Sequence, residues 1–167
     1  MAGATMPYAQ LGHVGIEVSD LAAARRFYDA FLPVIGFRRV PTGSPRWLRY
    51  RRRTVTLWLT ESHPPRVRRS APKAPRTDED DPISDHLAFR VRNGREVVLV
   101  QASLERRGLQ PIYPFEWQPT AGRTWYVSAA WADPDRHVLE VYATFRRRGR
   151  SLAPHGRPSA KARGRSR

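Results

Sequence analysis

Residues 13–18, HVGIEV, alternate polar and apolar positions as a half-buried strand does. Ser19 or Asp20 then offers a capping oxygen, and Leu21, Ala24, Phe27, Tyr28, Phe31 and Leu32 recur at helical spacing, so one helix face is apolar. Gly36 supplies the stop. Alternating stretches at 37–40, 47–51 and 54–60 complete a β-α-β-β-β order.

The same order returns further along. Residues 12–18, GHVGIEV, align with 85–91, DHLAFRV, at an offset of 73: histidine, apolar, small, apolar, charged, valine. A second helix is expected at about 95–107, although Val97, Val98 and Val100 lower its helix propensity. Strands follow near 112–115, 125–131 and 137–143. Leu32, Gly36 and Phe37 match Leu104, Gly108 and Leu109 at an offset of 72, whereas 56–60 match 138–142 at 82, so the second half carries a longer loop within 110–123. The pattern predicts an α+β fold of two tandem βαβββ modules, 10–61 and 83–144.

Composition refines this outline. Residues 62–82 hold five prolines, then basic residues from Arg66 to Arg76 and acids at 78–81, and read as an extended linker. Residues 145–167 carry nine basic and no acidic residues among Gly, Pro, Ser and Ala, which is the composition of a disordered basic tail. The whole chain of 167 residues has 30 basic and 15 acidic residues, net +15, but without the tail 21 and 15 remain, net +6. Specific nucleic-acid binding therefore has little support in the domain, and the tail offers only non-specific contact. No stretch reaches the ~20 apolar residues of a membrane span and the first ten residues lack a secretory pattern, so a cytoplasmic protein without a membrane partner is expected. With no cysteine, a metal site would have to use His and carboxylate.

Strand alternation then selects candidates. If Val14, Ile16 and Val18 face the core, His13, Gly15 and Glu17 face away. The same rule puts Leu87, Phe89 and Val91 inward and His86, Ala88 and Arg90 outward, while Leu139 and Val141 turn Val138, Glu140 and Tyr142 to that outer face. Two imidazoles and a carboxylate, His13, His86 and Glu140, suit a divalent first-row metal with open coordination positions. An isolated strand histidine is more often a packed residue than a ligand, but these two occupy equivalent positions in a repeat. His63, His137 and His155 fall outside the pattern. Glu17, Trp58, Arg90 and Tyr142 are candidates for the substrate pocket. For Trp58 the alternative is packing against Tyr142, and Glu17 and Arg90 could instead pair with each other. Trp125, Tyr126 and Trp131 read as core or subunit-contact aromatics.

The duplicated order, residues 11–21 (LGHVGIEVSDL) with Arg26-Phe27-Tyr28 behind them, Gly36-Phe37, Asp85-His86-Leu87-Ala88-Phe89, and Asp133-Pro134-Asp135 before Leu139-Glu140 together resemble the vicinal oxygen chelate superfamily. This group includes glyoxalase I, extradiol dioxygenases, fosfomycin thiol transferases, methylmalonyl-CoA epimerase and the bleomycin-resistance proteins. The resemblance spans about residues 10–144. It implies a curved mixed sheet forming a metal-binding cup, with His13, His86 and Glu140 as ligands of Fe2+, Mn2+, Zn2+ or Ni2+.

Some positions depart from the subfamilies. Trp58 stands where glyoxalase I has a fourth, glutamate ligand, Ala130 where a tyrosine precedes the Asp-Pro turn, Gly15 where the fosfomycin enzymes have threonine, and Arg136 where glycine usually follows Asp-Pro-Asp. The resemblance implies a divalent-metal-dependent enzyme of lyase, isomerase or dioxygenase type, which chelates vicinal oxygens of a small substrate and stabilises an enolate or alkoxide. The alternative is a non-catalytic protein that sequesters a drug or metabolite. Small members of the family commonly form homodimers, while two modules in one chain also allow the cup to close within a monomer.

Overall fold

Two four-stranded sheets repeat one topology. The computed structural model describes residues 10–62, 86–119 and 124–146. The first module runs β1 (His13–Val18), α1 (Leu21–Phe31), β2 (Arg38–Val40), β3 (Trp47–Arg52) and β4 (Val55–Glu61), with strands in the order β1-β4-β3-β2. The second runs β5 (His86–Arg90), α2 (Gly94–Glu105), β6 (Tyr113–Pro119), β7 (Thr124–Ala132) and β8 (Val138–Arg146), in the order β5-β8-β7-β6. In each sheet the first and last strands of the module pair in parallel and the remaining pairs are antiparallel. The expected linker, apart from Ser62, and the expected tail, apart from Phe145 and Arg146, lie outside the described residues.

Local chemistry sets the element ends. Asp20, not Ser19, caps α1, its carboxylate accepting from the Ala23 amide at 2.9 Å. The α-helix stops at Phe31, earlier than Gly36, and a 3₁₀ turn over Leu32–Ile35, begun by Pro33, carries the chain to Gly36 at φ 88°. Asn93 caps α2 by accepting from the Glu96 amide at 3.1 Å, while the Glu96 carboxylate accepts from the Arg92 amide at 2.9 Å. The second helix therefore starts one residue before its expected position and ends at Glu105. Strand β6 reaches Pro119, into the stretch expected to be loop, and β8 continues to Arg146, past the expected module end at 144. Among the described residues, no helix is long and apolar enough to cross a membrane.

One core runs through both modules. The expected inner-face residues Ile16, Val18, Leu57, Leu59, Leu139 and Val141 are buried, and Val14, Leu87, Phe89 and Val91 are half-buried, but on β8 Val138 and Glu140, expected to turn outward, are buried as well. Phe31 of α1 meets Phe89 at 6.4 Å and Trp131 at 5.5 Å between ring centroids, and Phe37 meets Phe89 at 5.8 Å, so the first helix and the turn behind it pack against the second module. Truncating a buried aromatic such as Trp131 to alanine costs about 3–5 kcal/mol in comparable cores. At the β7–β8 turn the buried Asp133 accepts from the amides of Asp135 and His137 at 2.9 and 2.8 Å, and Asp135 accepts from the Ser19 amide at 3.0 Å. Arg136 takes φ 72° there, so the turn forms without the glycine its conformation favours.

Candidate functional site on the open sheet face

The side of each sheet away from the core is the open face, and strand register says what meets on it. In the second sheet Glu140 lies between Ala88 on β5 and Ala130 on β7. Both neighbours are small, and the carboxylate is nonetheless buried, 6% exposed. Its Oε2 stands 3.3 Å from His86 Nε2, and it accepts a hydrogen bond from the Tyr126 phenol. Burial first, and then the hydrogen bond and charge of Glu140, hold the Tyr126 phenol well above its ordinary range. Tyr126 also stacks on Tyr142, centroids 5.1 Å apart and planes 18° apart.

His13 lies on the open face of the first sheet, exposed and opposite Thr56. Among the described residues, no three His, Asp or Glu side chains form a group able to hold a metal ion. The structure thus brings together two of the three expected ligands. His86 and Glu140, on adjacent strands, fit neighbouring positions on one divalent ion. His13 does not complete the set.

The first sheet shows what the repeat does with the position equivalent to Glu140. Gly15 pairs with Trp58 as Ala88 pairs with Glu140, so the indole takes the place of a second carboxylate. Trp58 does not pack against Tyr142. Its partners are Trp47, edge to face at 5.8 Å, and the Arg49 guanidinium, 5.2 Å from the ring centre. Arg49 gives one nitrogen to the Pro41 carbonyl at 2.8 Å, but its buried Nε has no hydrogen-bond partner among the described residues. Such a buried donor is a natural partner for an acceptor on a bound molecule.

Relatives by structure share this arrangement of modules. A glyoxalase/bleomycin resistance protein from Albidiferax ferrireducens T118 superposes with a TM-score of 0.57 at 20% identity, over 80% of this chain and 98% of that one. A glyoxalase-related enzyme from Fulvimarina pelagi matches at 0.56 and 24%, over 81% and 88%. Lactoylglutathione lyase from Agrobacterium tumefaciens matches at 0.53 and 18%, over 83% and 96%. The chain has the vicinal oxygen chelate fold. Comparison with protein-family models and with curated proteins finds no match.

Within the vicinal oxygen chelate fold of this chain, a cavity of about 290 Å³ lies where β1 approaches β5, lined by Gly15, Glu17, His86, His137 and Val138. Glu17 and His86 thus border a common space. Arg90 donates to the Thr144 hydroxyl at 3.3 Å. His137, which falls outside the alternating pattern, reaches the cavity from the turn before β8, its Nδ1 3.0 Å from Asp133 Oδ2. Trp131 is a core residue, as read from the sequence, and its indole N–H donates to the Leu109 carbonyl at 3.3 Å. Tyr126 is not simply a core or contact aromatic. Its position on the Glu140 face follows from the β7–β8 hairpin, where it opposes Thr144, two residues beyond Tyr142.

Proposed function

We propose that the chain is a small-molecule enzyme of the vicinal oxygen chelate kind, with its reaction centre at Glu140 and His86 on the open face of the second sheet. The His86–Glu140 pair carries this reading. A buried carboxylate is costly, and a well-packed apolar residue would serve stability at least as well. Keeping one at a solvent-facing sheet surface, paired with an imidazole and a phenol, is suited to chemistry.

Glu140 can accept a proton from a substrate carbon or hydroxyl, with His86 sharing the charge and the proton. Tyr126, kept protonated at ordinary pH, holds the carboxylate in one orientation. A divalent ion, Fe2+, Mn2+, Zn2+ or Ni2+, would use His86 and Glu140 as ligands and supply Lewis-acid stabilisation of an enolate or alkoxide. His13 stands outside that pair.

The second reading is sequestration of a drug or metabolite, favoured by the Trp47–Trp58 and Tyr126–Tyr142 ring pairs and by the unmatched Arg49 donor. Metal content of the purified protein, with Fe2+, Mn2+, Zn2+ and Ni2+ offered in turn, and turnover of a panel of α-hydroxycarbonyl and vicinal-diol compounds separate the two. The enzyme reading expects turnover that Glu140→Gln abolishes. Bound metal lost from His86→Ala adds the metal to that reading. A wild type that holds no more metal than His86→Ala, and binds ligands equally well with Glu140→Gln, leaves sequestration as the function.

A further inference from the structure

We propose that the junction of the two modules carries a second ligand site, separate from the Glu140 centre, for a small organic anion: a carboxylate or phosphate monoester on an apolar body. Two adjoining cavities of about 980 and 420 Å³ share Arg52, Arg53 and Arg90 in their walls. Ile35, Leu99 and Val100 give the larger an apolar side, and Phe37, Leu57 and Phe89 do the same for the smaller.

The charges in this groove do not cancel. Arg92 is committed to Glu96, which takes its Nε–H at 2.5 Å and its backbone N–H at 2.9 Å. Among the described residues, Glu96 is the sole carboxylate in either wall. Among the described residues, no carboxylate pairs with Arg52, Arg53 or Arg90, and the one side-chain partner of Arg90 is the neutral Thr144 hydroxyl. Arg52 and Arg53 thus bring uncompensated positive charge to the walls of both cavities, and the planar fork of a guanidinium matches carboxylate or phosphate oxygens.

Two features of the backbone bear on these residues. Arg53 sits at the β3–β4 turn with φ 51°, a conformation that glycine or asparagine adopts at lower cost. A basic side chain at a strained position in a cavity wall points to use. Arg52 lies across Gly36, where a Cβ would come within 3.3 Å of its Nε, so the bare glycine leaves room for the guanidinium.

The test is calorimetric titration of the full chain with octyl phosphate, octanoate, octanol and inorganic phosphate, at low and high salt. The probes are applied to wild type, Arg52→Gln and Arg53→Gly, the last being a change the turn conformation favours. Octyl phosphate or octanoate should bind at least about tenfold more tightly than both octanol and inorganic phosphate, and more weakly at high salt. Each variant should lose about tenfold for the anions while octanol binding and folding persist. Preference for octyl phosphate assigns a phosphate ester and preference for octanoate a carboxylic acid; equal binding fits the shared chemistry. The proposal fails if no probe binds, if octanol or inorganic phosphate binds as well as the octyl anions, or if both variants bind the anions like wild type. Glu140→Gln should leave this binding intact, which keeps its outcome separate from that of the proposed reaction centre.

Discussion

The phenol of Tyr28, on α1, donates a hydrogen bond of 3.0 Å to Asp133 Oδ2, at the turn between β7 and β8 and 105 residues away in sequence. The same carboxylate serves the amides of Asp135 and His137 and the His137 ring, so one buried acid ties the first helix to the second module's turn. Tyr28→Phe removes one of these bonds and should cost about 1–1.5 kcal/mol. Asp133→Ala strands several buried donors at once and should cost about 3–4 kcal/mol. Urea unfolding of both variants measures the difference, and equal losses would contradict the shared-carboxylate account.

Stability should fall in alkali through the tyrosines. Burial, then neighbouring carboxylates, raise the phenols of Tyr28, Tyr50 and Tyr126 above their ordinary value. An unfolded chain releases these protons near pH ~10 while the folded chain still retains them. The stabilisation is fully present below that pH and is lost as pH rises toward the folded values. The urea midpoint should therefore stay level to about pH 9.5 and decline above 10, less steeply in Tyr28→Phe, with phenolate absorbance reporting the ionisation.

Arg136→Gly should stabilise the protein by about 0.5–1 kcal/mol. The residue is exposed and holds φ 72°, so glycine relieves strain without removing a packed side chain. Thermal unfolding should show a rise of a few degrees. Arg136→Val, β-branched at the same φ, should lower the midpoint.

Gly94→Ala, a change that helix propensity alone would favour, should destabilise by about 1–2 kcal/mol. A Cβ there would lie 2.9 Å from Trp117 Cη2 and 3.3 Å from Val127 Cγ1. The indole has little room to yield, being held edge to face by Phe115 at 5.4 Å and Phe145 at 5.1 Å. Near-ultraviolet circular dichroism and the urea midpoint should both register the shift.

Sequence pattern carries the fold a long way, because the features that repeat are those that burial enforces. Ile16 and Val18 in one half, and Leu139 and Val141 in the other, mark the inner faces, and the helix after each opening strand follows from its own periodicity and cap. The site is less legible. Alternation says which face His13, His86 and Glu140 share but not how far apart they stand, since β1 pairs with β4, β5 with β8, and no ladder connects β1 to β5. Tyr126 reads as a packing aromatic because strand aromatics usually pack, and its reach to Glu140 depends on the direction of its side chain. His137 sits in a turn, where no period applies. The groove arginines are spread over two modules and come together only through the packing of one on the other.

The missing ladder between β1 and β5 also sets how the halves respond to temperature. Each sheet keeps its own backbone hydrogen bonds, while the junction depends largely on Phe31, Phe37, Phe89 and Trp131, together with the Tyr28 and Ser19 links to the turn. Apolar contact weakens on cooling. Near freezing, the two modules should separate before either sheet frays, and the cold protein should retain its strands while losing the alignment of its two open faces.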